Sequence, residues 1–472
     1  MAARRILTLI ICGISAPAVA SPNSDPTTGR AVFTGAATPH ATSVSLNPAA
    51  MGVGPVSEFY FAVVTVLQQL GIDRKTIDPD TGALSPGPRI DDTQLSPGGM
   101  LGFVWHPSER LTVGGEARLP PAERLPEAHD PLRYHTLGGG QRNYVATLGV
   151  SFRIIKKFHF GASLSHENSF LRLRYARDTA LEAGRGPGGI DSDCGGAPCG
   201  IENPEATELY DVDVASPLFA TSNLKVHLGT VFSVYPDVWI GIAYHTPPGF
   251  NIQTTLDGTM DVTRAPRDGG GIVHGGATVY VAYPASVDAE VRARLPEELE
   301  LHVGARWEDL SRMQAYDVRG YGSTFRTHEI PEWTLRPRGL KDSVALWGGV
   351  EQIDKGKPLR FGARLGFETA SVSTERTSPV TIGPPTLTID LGAQLRLGAW
   401  VMQLSYGVGL SPGVTVENSD YDPRYRLECL DTLDYTSRAC EATRNGYAIP
   451  TAAGDYSRVQ HAMRLGFRYA FP

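Results

Sequence analysis

The stretch ELELHVGARWE, Glu298 to Glu308, decides the fold. Leu299, Leu301, Val303, Ala305 and Trp307 alternate with Glu298, Glu300, His302, Gly304, Arg306 and Glu308. Successive side chains of an extended chain point to opposite faces, so this segment has one apolar face backed by one charged face. Such alternation runs longer than the roughly five or six residues of an ordinary soluble strand. It recurs at Val287 to Leu295, with Asp288, Glu290, Arg292 and Arg294 on the polar face, and at Leu359 to Phe367, with Arg360 and Arg364 there. Near the C-terminus Met463, Leu465, Phe467, Tyr469 and Phe471 alternate with Arg464, Gly466, Arg468 and Ala470.

Carried along the chain, the pattern predicts fourteen strands, near 57–72, 98–107, 110–119, 142–155, 157–176, 222–235, 237–258, 277–295, 297–312, 339–352, 357–372, 384–396, 399–411 and 455–471. Connections after the even-numbered strands are short, as in Pro107-Ser108-Glu109 and Tyr235-Pro236-Asp237, and those after the odd ones are mostly long. Unbroken alternation of short and long connections describes an up-and-down meander with every long loop at one end. Bacterial outer-membrane barrels have this plan, with an even strand number, short periplasmic turns and long external loops. The expected fold is therefore all-β, a 14-stranded antiparallel transmembrane barrel over 57–472 with both termini on the periplasmic side. A soluble β-sandwich would bury the same apolar face. Strand length, loop alternation and the aromatic end of the last strand, Phe467, Tyr469 and Phe471, weigh against it. That aromatic end also resembles the signal read by barrel-insertion machinery.

With apolar faces toward outer-membrane lipid, the lumen receives Glu298, Glu300, Arg306, Arg360, Arg364, Arg464 and Arg468. Charges in a low-dielectric wall are costly unless paired or wetted, so these residues are expected to form networks with each other, with water or with a plug. Trp105, Trp239 and Trp400 fall near short turns, where a periplasmic aromatic girdle would lie, and Trp307 lies toward the opposite end of its strand.

The first twenty residues have the pattern of a signal peptide: Arg4 and Arg5, an apolar run from Ile6 to Ile14, then the small-x-small Ala18-Val19-Ala20. Ser21 is then the first mature residue. A lipoprotein reading at Cys12 meets Ile11, where a small residue would normally stand. Without Arg4 and Arg5 the chain has 41 basic against 50 acidic residues, a mature charge of −9, which argues against a nucleic-acid partner. After the leader no apolar run approaches the roughly 20 residues of a membrane helix. Four cysteines remain in two local pairs, Cys194 with Cys199 and Cys429 with Cys440. In an exported chain each pair is expected to staple one external loop as a disulfide. Zinc is the competing reading, but the spacings are not C-x-x-C and no His lies within either pair. No metal or cofactor is expected.

Residues 21–56 precede the first strand and are rich in Gly, Ala, Ser, Thr and Pro, a composition that lets a backbone pack closely against a barrel wall. A fourteen-stranded barrel is too wide for its own side chains to fill, so this segment is the expected plug. Here the residues resemble a known family. Gly29-Arg30-Ala31, Gly35-Ala36-Ala37 and Asn47-Pro48-Ala49-Ala50-Met51 follow the order found at the N-terminus of the FadL family, outer-membrane transporters of long-chain fatty acids and other hydrophobic compounds. Leu101-Gly102-Phe103-Val104-Trp105, Gly241 to Pro247, and Tyr283 to Val287 leading to Trp307 to Ser311 extend the likeness over most of the chain. The resemblance implies an N-terminal hatch carrying Asn47, Pro48 and Ala49, a hydrophobic small-molecule ligand bound inside the barrel, and passive lateral release beside a kinked third strand. Gly114-Gly115 in that strand, which ends at Pro120-Pro121, is either the expected kink, since adjacent glycines favour a bend and Pro stops pairing, or a glycine pair that merely relieves crowding. A monomer is expected.

Three rival functions remain. Gly409-Leu410-Ser411-Pro412-Gly413 matches G-x-S-x-G, yet a nucleophile elbow needs a strand, a strained turn and a helix, and this stretch leads from a strand into a loop. Asp191/Asp193, Asp211/Asp213 and Asp420/Asp422 lack the full glycine-bearing calcium loop. A general porin or a structural or adhesive barrel would need no pre-barrel segment.

Overall fold

A computed structural model of the chain describes residues 31–471 apart from 55, 79, 128–129, 180–201, 252, 297, 354–355 and 423–448. The segment read as a leader, Cys194, Cys199, Cys429, Cys440, Asp191 and Asp193 lie outside the described residues.

Fourteen strands close on themselves: β1 Glu58–Ile77, β2 Ile90–Trp105, β3 Leu111–Leu119, β4 Gly138–Ile155, β5 Phe158–Asp178, β6 Leu224–Tyr235, β7 Val238–His245, β8 Ser286–Arg294, β9 Leu299–Glu308, β10 Ser343–Gln352, β11 Leu359–Glu368, β12 Thr386–Leu397, β13 Trp400–Leu410 and β14 Gly454–Ala470. Each pairs antiparallel with its neighbours, and β14 returns to β1 from Glu58↔Ala470 to Arg74↔Gly454. Closure removes the two terminal edges a sheet would otherwise have, so most backbone groups of the wall find their partners within the sheet. Phe59, Phe61 and Val63 on β1, Leu301 and Val303 on β9, and Leu387, Ile389 and Leu391 on β12 are exposed on the outside. Gln68, Thr147, Ser163, His227, Asp288, Glu290 and His302 are buried within. Alternation thus places apolar side chains outward and polar ones inward.

Two long segments read as single strands, 237–258 and 277–295, each divide. The barrel part of the β7–β8 ladder ends at His245↔Ser286. Beyond it Pro247-Pro248 and Pro284 supply no N–H, so the ladder cannot continue in line. The chain resumes as Thr254–Thr263 and Ile272–Val281, which pair with each other. These join Thr207–Ala215, Ala315–Tyr321 and Thr334–Pro337 in a sheet that extends the upper half of β5 at the long-loop end. One face packs Val212, Val214, Leu256, Met260, Val279, Val318 and Phe325 together. Asp211 on the other face is held by Arg172 through two bonds of 2.9 and 2.7 Å.

Two further placements differ from the sequence reading. Trp105 and Trp400 are exposed near the short turns, but Trp239 points inward beneath the guanidinium groups of Arg292 and Arg294, 4.3 and 4.9 Å from its ring. Its position is set by parity with the inward Gly241, Ala243 and His245. Glu298 lies in the turn before β9 with a left-handed φ of 62°, and its carboxylate meets Lys357 at 2.7 Å. A residue in the turn escapes the strand's parity, so Glu298 is no part of the lumenal set.

Candidate functional site

Residues 31–51 are almost wholly buried, and they meet inward side chains from strands all round the wall. A short helix, Ser43–Leu46, and a 3₁₀ turn, Pro48–Val53, are joined by Asn47. Asn47 caps the second: its Oδ1 accepts from Ala49 N at 3.1 Å, and Pro48 at the first helical position lacks the N–H that would need a partner. Its Nδ2 donates to Ala36 O at 2.5 Å within the segment and to Thr230 O on β6 at 3.1 Å. One amide therefore fixes the turn, folds the segment on itself and ties it to the wall.

Four wall carboxylates receive the segment. Phe33 N donates to Glu351 at 2.8 Å, Ala36 N to Glu290 at 2.8 Å, Ala41 N to Glu58 at 2.6 Å and Ser45 Oγ to Glu116 at 3.0 Å. Each carboxylate also has a basic or imidazole neighbour: Arg364 at 2.7 Å from Glu351, His302 at 2.9 Å from Glu290, Arg468 at 3.4 Å from Glu58 and Arg118 at 3.2 Å from Glu116. Arg464 donates to Val32 O at 2.6 Å. Hydrogen bonds to charged groups contribute about 1.5–3 kcal/mol each, more than neutral ones. Of the charges read from the sequence, Arg364, Arg464 and Arg468 thus touch or support this segment. Arg360 bonds Gln394 with Phe33 nearby, and Glu300 bridges Arg292 and Arg294. Arg306 pairs with Asp288 and Glu308.

The wall is shaped for the Asn-Pro-Ala turn. Gly161 on β5 and Gly229 on β6 face each other across the ladder. A Cβ on Gly229 would lie 1.9 Å from Asn47 Oδ1, and one on Gly161 would lie 2.3 Å from Ala49 N. Glycine here is a matter of close approach. The same holds at Gly114, where a Cβ would meet Met51 Sδ at 2.5 Å and Val44 Cγ2 at 2.7 Å. No bulge occurs at Gly114-Gly115: both ladders of β3 run through these residues in register. The interruption comes after Leu119. Pairing of β3 with β4 stops at Arg118↔Val145 and resumes only at Glu123↔Gln141, in the two-residue strand Glu123–Arg124. Between them Pro120 and Pro121 leave Arg142, Asn143 and Tyr144 without a ladder partner on that side.

Behind this interruption, on the long-loop side of the buried segment, lies a cavity of about 400 Å³. Pro120, Pro121, Gln141, Asn143 and Val145 form its side toward the gap. Tyr283, Leu310, Met313, Leu340, Val380 and Ile382 contribute apolar surface, and Ser45, Arg118, Lys225, His227, His245 and Arg306 a polar one. His227 and His245 meet through their Nδ1 atoms at 2.6 Å, with Ser165 at 2.7 Å on one side and Asp288 at 2.9 Å on the other. Above, the loops are locked by Arg74, which donates to Thr451 O and Pro131 O, and by Arg336, which donates to Tyr134 O and His135 O. Burial first, then the Arg74 and Arg336 guanidiniums, hold the loop imidazole of His135 well below its usual range.

Ser411 follows β13 into a loop and shares a 2.9 Å hydrogen bond with Thr386 Oγ1. Asp420 is held by Arg376 at 3.1 Å. Among the described residues no group of three or more His, Cys, Asp or Glu could hold a metal ion.

The closed fourteen-stranded fold is shared with solved structures. A FadL homologue from Pseudomonas aeruginosa superposes with a TM-score of 0.72 over 96% of this chain and 100% of its own, at 15% identity. The chain has the FadL fold. The toluene transporter TodX of Pseudomonas putida gives 0.60 over 96% and 98% at 12% identity. The toluene transporter TbuX of Ralstonia pickettii gives 0.59 over 95% and 98% at 16% identity. Neither a protein-family model nor a curated protein matches the sequence. Within this FadL fold, Glu58, Glu116, Glu351, Lys225, His227 and His245 were missed as site residues. Their signal was available: each occupies an inward position on its strand, where an ionisable side chain among small or polar neighbours has only the lumen to face.

Proposed function

We propose that the chain is an outer-membrane channel for passive uptake of hydrophobic compounds, exported by its leader, with residues 31–54 as a hatch and release sideways between β3 and β4. The observation that carries this reading is the cavity itself, which lies above an obstructed lumen and adjoins the interruption between β3 and β4. A water-filled pore gives a hydrophobic molecule no gain, whereas an apolar pocket beside a lateral gap lets it pass from pocket to lipid without re-entering water. Among hydrophobic compounds we favour long-chain fatty acids. Arg118, Lys225 and Arg306 opposite an apolar roof suit a carboxylate on an aliphatic chain. Monoaromatic hydrocarbons are the second reading, supported by the likeness to TodX and TbuX. Uptake of labelled oleate and of labelled toluene by cells lacking their own transporter, with and without this protein, tests both. Oleate uptake that depends on the protein supports the first, toluene uptake alone the second, and neither would overturn the transport reading.

A further inference from the structure

On the short-turn side of the buried segment is a second cavity, of about 510 Å³, within the size range of small-molecule sites. The end of the segment, Gly52 to Gly54, forms its ceiling. One side is apolar, where Val53 packs with Val231 and Trp239. The other is basic, with Arg153, Lys156 and His159 among its lining residues. Glu109 is the one carboxylate in that lining among the described residues, and it is almost fully exposed where it meets Arg153 at 2.9 Å. Its charge is therefore largely screened by water. His159 is 9% exposed, and its Nδ1 has no hydrogen-bond partner. Gly52 makes the space for it: a Cβ there would stand 2.9 Å from that nitrogen. A buried imidazole nitrogen without a partner costs free energy unless something occupies the cavity to satisfy it.

We infer that this vestibule is a second binding site, open to the periplasmic side, for an amphipathic oxyanion whose phosphate or carboxylate head meets Arg153, Lys156 and His159 and whose apolar body lies on Trp239, Val231 and Val53. Two cations at the rim with a single exposed counter-charge select an anion over a neutral amphiphile. The indole face of Trp239, already covered in part by Arg292 and Arg294, sets the boundary of the apolar half. Because His106 Nε2 lies 3.2 Å from Met51 O, the ligand sits against the fixed end of the hatch. Its head can come from a free amphiphile in the periplasm or from a phospholipid of the inner leaflet, which share this chemistry. The orientation rests on the transport reading, but the binding does not.

The test uses the full chain in phosphatidylcholine nanodiscs, titrated with octyl phosphate, octanoate and octanol. Binding is read from tryptophan fluorescence, assigned by loss of the change in Trp239→Phe, and from slowed hydrogen exchange at residues 49–54. The two anions should bind saturably and octanol at least about tenfold more weakly, because charge-assisted bonds supply the difference. Arg153→Gln with Lys156→Gln should weaken the anions by a similar factor. Lys156→Glu, a change at an exposed turn residue that leaves folding intact, should do so as well. Discs containing phosphatidylglycerol distinguish the sources: a weaker apparent affinity there means that the lipid head already occupies the site. Octanol binding equal to octyl phosphate, or anion binding unchanged in both variants, overturns the proposal whether or not the chain transports anything.

Discussion

Asn47→Ala is the substitution whose consequence can be worked furthest. The side chain is fully buried and uses its amide three times, to Ala49 N, Ala36 O and Thr230 O. Each ordinary hydrogen bond contributes about 1 kcal/mol net, so the loss is about 3 kcal/mol if water reaches the freed groups, and more if they stay dry. None of the three holds one barrel strand to another, so the cost falls on docking of residues 31–54 and leaves closure of the barrel intact. At 1.4 kcal/mol per tenfold, 3 kcal/mol raises the population of the undocked segment roughly 100-fold. Hydrogen exchange with mass spectrometry reads this directly. Peptides spanning 31–54 should exchange about 100-fold faster in Asn47→Ala, while those from β1, β9 and β14 match the unsubstituted protein. Planar-bilayer recordings should show brief openings that the unsubstituted protein lacks. Unchanged exchange over 31–54 would refute the role given to this amide.

Three further outcomes follow from the same contacts. Gly229→Ala should reproduce the Asn47→Ala exchange pattern, because its Cβ would occupy the position of Asn47 Oδ1 and overpacking costs about 1–3 kcal/mol. Replacing Pro120 and Pro121 by Ser restores two N–H groups opposite the unpaired stretch of β4, and uptake of the transported compound should fall while thermal stability, followed by gel mobility, holds or rises. The His135 proton binds less well in the folded protein than in the unfolded chain, whose imidazole titrates near about 6.5. Above that pH both forms are neutral and nothing is lost. As pH falls below it, the unfolded loops take up the proton first and folding of the loop cap weakens. Protease cleavage of the loops should therefore accelerate between pH 7.5 and 5.5, and less so in His135→Gln.

What the sequence made legible was whatever depends on a local period. The outward Leu301 and inward His302 follow from alternation alone, and so does the meander, because turn length is a local property. What it hid depends on where a strand goes. Nothing in the period of 237–258 marks the point at which the chain leaves the barrel for the outer sheet, although Pro247-Pro248 stands there. Glu298 was misplaced because parity fails at a turn with positive φ. Gly114 and Gly115 looked like a weakness in the wall, but Gly114 is a space for Met51, visible only once the segment is seen against it. The receiving carboxylates were the hardest to recognise. Nothing in the alternation sets Glu58 and Glu116 apart from other inward positions, and only the Ala41 amide and the Ser45 hydroxyl of the buried segment give them a purpose.

The same contacts bear on whether the hatch must leave for transport to occur. Four bonds to carboxylates, at about 1.5–3 kcal/mol each, put complete undocking at roughly 6–12 kcal/mol before any apolar packing is counted. A ligand bound at 1 μM brings only about 8 kcal/mol in all, and only the part that differs between docked and undocked states could be used for displacement. Under the proposed function, full departure of residues 31–54 is thus too costly to be the transport step, whereas the interruption beside Pro120-Pro121 offers a path that leaves them in place. This can be tested by locking it. The Cβ of Ala41 lies 3.4 Å from the position a Cβ would take on Gly102 of β2, close to the separation of about 3.5–4.5 Å that a disulfide spans. Ala41→Cys with Gly102→Cys should therefore cross-link on oxidation, and the cross-linked protein should take up its substrate as fast as the reduced form. Uptake that stops on oxidation and returns on reduction would mean that the hatch moves as a body.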